Sequence, residues 1–231
     1  MDISGTLNLS IGNDPKVAWR FPEDRLREVD PLQPETDVIT WAASRVRSGG
    51  VIIYPTETFY GLGGDPSLPE VVERIYRLKE RERHKPLPLI ASDEAAARRV
   101  AHVWPEVAER LAHAFWPGPL TLVVAASRLP LIWHAQTGKI AVRVSSHAVA
   151  HDLAAAAGGL LISTSANLAG KGPCAHPDRL SPELVQGVDV VLHAGATPGG
   201  LPSTLVDVTV DPPRLLRAGA IAWERVRQVL A

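Results

Sequence analysis

Cysteine is almost absent from this chain of 231 residues: Cys174 stands alone. A lone cysteine excludes an internal disulfide and any paired-cysteine zinc site, and it suits a reducing compartment. Excess charge is absent too. Lys and Arg number 24 against 25 Asp and Glu, a formal net charge of −1. That excludes a polybasic protein and leaves any nucleic-acid contact to a local patch. No apolar run reaches the roughly 18–20 residues of a membrane helix. The first twenty residues lack the charged, apolar and small blocks of a signal peptide. The expectation is a cytoplasmic protein without membrane association. No GxGxxG follows the first strand and no GxxxxGK[ST] occurs, so a nucleotide would need another cradle. No GxSxG or similar nucleophile motif appears, which argues against covalent catalysis. Neither repeats nor low-complexity tracts are present. What remains is an ordinary globular composition, 45% hydrophobic and 21% charged, with enough apolar material to offset chain entropy.

Residues 1–35 carry Pro15, Pro22, Pro31 and Pro34 without sustained periodicity, and read as an N-terminal arm. From 36 to 231 the pattern is regular and reads as one domain. Thr36 is a candidate cap for a helix with Val38, Ile39, Ala42 and Val46 on one face, ended by Gly49-Gly50. Further helices are expected at 69–78, 93–102, 105–115, 147–157 and 222–230. Strands are expected at 51–54, 120–126, 140–144, 160–163, 188–192, 203–208 and 214–217. Strands interleaved with helices define an α/β fold. Two strands without an intervening helix between 120 and 144 make the sheet mixed, parallel and antiparallel.

Four segments carry chemistry. In YPTETFYGLGG (54–64), Thr56 and Thr58 flank Glu57 at a strand end, where ligands of α/β sheets bind. In RLKERERHKPLPL (77–89), Lys79, Arg81, Arg83 and Lys85 alternate with acidic residues and would share one side of an extended segment, a fit for a triphosphate. In the third, Arg143 closes one strand and STSAN (163–167) the next. There Ser163, Ser165 and Asn167 alternate ahead of Gly170-Lys171-Gly172, a plausible anion pocket. In the fourth, Ser203 opens a strand, Arg217 ends one, and Asp207 either binds a cation or pairs with a base. His147 and His151 stand at i, i+4 without an evident third metal ligand. The six tryptophans are spread along the chain and suit core and rim positions better than a base-stacking platform.

Taken in this order and spacing, the segments closely resemble the YrdC family of threonylcarbamoyl-AMP synthases. The matching pieces are GGVIIYPTETFYGLGGD, the K-x-R of Lys79 to Arg81, KPLPL, FWPGPLTLV, IAVRV, the S-x-N of Ser165 to Asn167, PSTLVDV and LLRAGAI. The resemblance spans about residues 36–221. It implies a twisted mixed sheet with helices packed on it around a deep basic cavity, and it makes 36–231 a catalytic domain. It further implies a nucleotidyltransferase that turns L-threonine, bicarbonate or CO2 and ATP into threonylcarbamoyl-adenylate and pyrophosphate. The product would pass to a separate transferase complex that modifies tRNA next to the anticodon. By the same resemblance, Lys79 and Arg81 are catalytic. Thr58, Arg143, Ser163 and Ser203 bind threonine. Arg81, Lys85, Ser165, Asn167 and Arg217 bind the nucleotide. Mg²⁺ accompanies ATP, with no metal ligand assigned to the protein, and tRNA or double-stranded RNA is a further, weaker ligand. The chain departs from many relatives at Thr164, Pro202 and Ile90, positions that bear on the threonine contacts more than on ATP. Two other readings stay open on the residues: an RNA-binding module using the cation row, and a divergent relative with another carbamoyl acceptor.

Overall fold

The computed structural model describes residues 24–127 and 137–231. Most of the stretch read as an arm, 1–23, therefore lies outside the described residues. The part inside is not all arm, because Leu26–Glu28 forms β1 and extends a sheet.

The helices follow from apolar spacing. In α1 (Thr36–Arg47), Ile39, Ala42, Ala43 and Val46 make the buried stripe. Its cap is Glu35 rather than Thr36, and Glu35 makes no side-chain cap bond. The Glu35 carboxylate instead accepts from the Asp30 amide at 3.1 Å. α2 (Pro69–Lys79) starts with proline, whose missing N–H is no loss there. It ends at Glu80, in the left-handed region at φ 51°. A non-glycine side chain there is strained by about 1–2 kcal/mol. The strained residue lies inside the K-x-R motif and turns the chain sharply between Lys79 and Arg81. α3 (Glu94–Arg99) is shorter than expected; Asp93 caps it by accepting from the Ala96 amide. α4 (Glu106–Phe115), α5 (Ala148–Ala156), α6 (Pro182–Gln186) and α7 (Trp223–Leu230) complete the set.

The strands form two hydrogen-bonded sheets with parallel and antiparallel pairs in each. One has the order β1, β9 (Val190–His193), β2 (Ile52–Tyr54), β3 (Gly61–Gly63), β8 (Thr164–Ser165). The other has the order β11 (Arg214–Arg217), β10 (Thr204–Asp207), β5 (Leu120–Ala125), β6 (Lys139–Val144), β4 (Leu89–Ala91), β7 (Leu160–Ile162). β7 pairs with β4 in the larger sheet, and after Ser163 the chain pairs as β8 with β3 in the smaller one. The chain thus changes sheets at Ser163. Glycine permits the crossing. A Cβ on Gly63 would lie 1.9 Å from the Ile162 carbonyl oxygen, and one on Gly64 2.5 Å from Val71. Glycines in a strand mark such close backbone approaches.

Two apolar clusters flank this junction. The larger joins Ile53, Leu62, Ile75, Leu87, Leu122, Val142 and Val206. The smaller lies under α1 and α5 and includes Ile39, Val46, Tyr54, Ile90, Leu153 and Leu161. No helix among the described residues is long and apolar enough to cross a membrane.

Candidate substrate-binding site

Strand register builds the floor of the site. Arg217 pairs with Leu205 and Leu205 with Thr121, across β11, β10 and β5. The pairing of Leu122 with Val142 brings Thr121 into line with Arg143 on β6. Residues in one cross-strand row face the same side. Arg217, Leu205, Thr121 and Arg143 accordingly all line a cavity of about 370 Å³. The sheet crossing at Ser163 and the turn after β2 supply its walls.

That turn is folded by a threonine. Thr56 Oγ1 accepts from the amides of Thr58 at 3.2 Å and Phe59 at 3.3 Å, and donates to the Phe59 carbonyl at 2.7 Å. Thr56 and Thr58 line the cavity, their hydroxyls 3.2 Å apart. Glu57, between them, points to Arg143 and Ser145 and hydrogen-bonds both. The Arg143 and Glu57 side chains are 9% and 11% exposed, so this is a nearly buried ion pair.

Ser203 meets Thr121 hydroxyl to hydroxyl at 2.8 Å. Arg217 donates to the Ser203 carbonyl at 2.8 Å and to its Oγ at 3.1 Å. Burial, and then the like charge of Arg143, push the Arg217 pKa down, although a guanidinium stays charged. Arg81 donates to the carbonyls of Lys85 and Pro86, both at 3.1 Å. Ser163, Ser165 and Asn167 line the cavity with Lys171. Asn167 Nδ2 ties its own loop by donating to the carbonyls of Leu168 at 2.9 Å and Lys171 at 2.6 Å.

Of the residues singled out by sequence, Thr58, Arg81, Arg143, Ser163, Ser165, Asn167, Ser203 and Arg217 share this cavity. Lys79 and Lys85 line a smaller adjoining one of about 230 Å³, which shares Arg81, Ser165 and Asn167. The row of four cations does not form. The left-handed Glu80 and the turn closed by Lys85 N to Glu82 O at 3.1 Å disperse it. Arg83 folds back on Glu73 at 2.8 Å, Lys85 pairs with Glu82 at 2.8 Å, and Lys79 is buried. Lys79 Nζ donates to the carbonyls of Ser165 and Asn167, the latter at 2.7 Å, and so clasps the S-x-N loop from beneath.

Burial first, and then Arg81, push the Lys79 pKa down from 10.5 to about 8. Between these values the unfolded chain holds the proton and the folded chain does not, so this group makes stability rise with pH. The stability of the wild type relative to Lys79→Met is expected to increase from pH 8 to 10.5, by on the order of 3 kcal/mol at most. Thermal melts of both proteins across that range check it. A constant difference would contradict a depressed Lys79.

Asp207 resolves as a structural partner, bonded to Lys139 at 2.9 Å and to the Thr209 hydroxyl at 2.6 Å. His147 precedes α5 with a buried Nδ1 that has no hydrogen-bond partner among the described residues, while His151 pairs with Asp152 at 2.9 Å. No group of three His, Cys, Asp or Glu among the described residues could hold a metal. Ile90 lies in the row of Arg143 but is fully buried. Pro202 and Thr164 line the cavity. Sequence reasoning gave no role to Thr121, hidden in an apolar strand, or to Glu57, visible only as the carboxylate between two threonines. Lys171 was visible only within a flexible turn.

Among the described residues the cavity lining holds Arg81, Arg143, Lys171, Arg217 and seven Ser or Thr hydroxyls, and no Asp or Glu. This defines a class: an α/β protein with an arginine- and hydroxyl-lined cavity beside the crossing between two mixed sheets. Comparison with known proteins narrows it. The Sua5/YciO/YrdC family profile, described as telomere recombination, matches residues 44–219, and the chain belongs to this family. It is 41% identical over 165 residues to the threonylcarbamoyl-AMP synthase of Stenotrophomonas maltophilia, covering 69% of this chain and 87% of that protein. Against the threonylcarbamoyl-AMP synthase of Pyrococcus abyssi it is 33% identical over 190 residues, 82% of this chain and 56% of that protein. The chain thus spans little more than half the length of that relative. The crystal structure of P. abyssi Sua5 complexed with L-threonine superposes with a TM-score of 0.83 at 32% identity, covering 89% of this chain and 61% of that one. Escherichia coli YciO superposes with a TM-score of 0.78 at 29% identity, covering 85% and 96%.

Proposed function

We propose that this protein is a threonylcarbamoyl-AMP synthase, which condenses L-threonine, bicarbonate or CO2 and ATP into threonylcarbamoyl-adenylate and pyrophosphate. The observation that carries this is the cavity whose described lining gathers Arg81, Arg143, Lys171 and Arg217 with hydroxyl donors and without a carboxylate. Such a basic cavity suits a reaction that gathers the threonine carboxylate, a carbamate and a triphosphate, all negatively charged groups. The threonine amine loses a proton and adds CO2 to give a carbamate. A carbamate oxygen then attacks the α-phosphorus, the α–β phosphoanhydride breaks, and pyrophosphate leaves. Carbamates are weak, unstable nucleophiles, so positioning and charge neutralisation matter more than a protein nucleophile.

In this reading Arg143 takes the threonine carboxylate, with Thr58, Ser163 and Ser203 around the amino acid. Arg81, Ser165, Asn167, Arg217 and, from the adjoining cavity, Lys85 face the nucleotide. Lys79, with its donors on two loop carbonyls, acts by holding Ser165 and Asn167 in place. Mg²⁺ enters with ATP. Among the described residues the main cavity offers hydroxyls and no carboxylate, and the adjoining one only Glu80 and Glu82, so the ion would be held mainly by phosphate and water oxygens. The adenylate then serves a transferase that modifies tRNA, in the cytoplasm.

Pyrophosphate release tests this reading. It is expected to require threonine and bicarbonate together, and to favour L-threonine over L-serine by the methyl contact, about 1–3 kcal/mol. Release independent of threonine would contradict it.

A further inference from the structure

Arg143 is held from behind. Glu57 is its hydrogen-bond partner among the described residues, through Nη1, and does not itself line the cavity. The other Glu57 oxygen accepts from Ser145 Oγ, and Ser145 Oγ accepts from the His147 amide at 3.2 Å, at the start of α5. The carboxylate is therefore fixed at both oxygens and nearly buried. Arg143 also sits close enough to Arg217 to disfavour its charge. Two guanidiniums on one cavity floor repel, and a long side chain without an anchor gives way.

We propose that Glu57 is a positioning residue: fixed by Ser145, it holds one edge of Arg143 and presents the remaining donors to the carboxylate of the amino-acid substrate. This rests on the reading of Arg143 as the carboxylate anchor. A guanidinium offers five donors in a rigid fork. Fixing one edge against an internal carboxylate leaves the rest aimed at a second one in the cavity. The opposite outcome is physically distinct: a Glu57 that competes with substrate for Arg143 would weaken binding, and its removal would tighten it.

The test compares wild type with Glu57→Gln, Glu57→Ala and Ser145→Ala, measuring KM for L-threonine and for ATP and the preference for L-threonine over L-threoninamide, which lacks the carboxylate. Glu57→Ala is expected to raise KM for threonine at least tenfold, to leave KM for ATP within twofold, and to shrink the preference over the amide. Glu57→Gln keeps one acceptor and should fall between. Ser145→Ala, which spares the ion pair, should raise KM for threonine about threefold and decides the matter if Glu57→Ala does not fold. An unchanged or lowered KM for threonine, or parallel rises for threonine and ATP, overturns the proposal. Wild-type protein that forms no adenylate refutes the functional reading instead, before any variant is compared.

Discussion

Replacing Arg143 by alanine is expected to remove threonine-dependent synthesis and to destabilise the fold at the same time. The two effects have separate origins. In the proposed reading synthesis fails because the cavity loses its threonine carboxylate anchor, a charge-assisted contact whose truncation costs about 2–5 kcal/mol or more, so kcat/KM for threonine should fall by at least about 30-fold. Stability falls because Glu57, 11% exposed, is left nearly buried without its ion-pair partner. Breaking one side of a buried pair costs about 3–5 kcal/mol, which lowers Tm by roughly 6–20 °C in a chain of this size. The double variant Arg143→Ala, Glu57→Ala removes the stranded carboxylate, so it should regain much of the Tm and none of the activity. Melting curves and threonine titrations of the wild type and these two variants separate the terms. Full activity in Arg143→Ala would remove this residue from the site.

Arg81→Ala should act on the nucleotide and spare the fold. Arg81 lines both cavities and makes two bonds to carbonyls at the turn after α2. Water can replace those bonds at a half-buried position, so Tm should move little. Charged hydrogen bonds contribute about 1.5–3 kcal/mol each, and loss of two to phosphate weakens ATP binding by about 100-fold or more. Arg81→Lys keeps the charge without the fork and should recover only part of it. Nucleotide titration and KM for ATP read this directly. A variant with unchanged ATP affinity would place the triphosphate elsewhere.

The sequence carried the long periodic elements well. α1, α2, α4, α5 and α7 fall where apolar spacing put them, and β2, β5, β6, β10 and β11 where short runs bounded by turn residues did. It missed β3 because Gly61-Leu62-Gly63 has almost no side chains to show a period; Gly63 is required by the close approach of the Ile162 carbonyl, about a hundred residues away in sequence. It missed β8 because two residues make no pattern. The alternation of Lys79, Arg81, Arg83 and Lys85 misled, since one left-handed residue, Glu80, sends them in different directions. At the site, motifs at strand ends were legible because loops there carry polar residues. Thr121 was not, because only the register of β5 against β10 and β6 turns it toward Arg143 and Ser203.

The most direct measurement is mass spectrometry of the 231-residue protein incubated with ATP, Mg²⁺, bicarbonate and L-threonine, with each component omitted in turn. Threonylcarbamoyl-adenylate should form in the complete mixture and in none of the omissions. A folded protein that binds ATP and threonine yet yields no such adenylate would contradict the account.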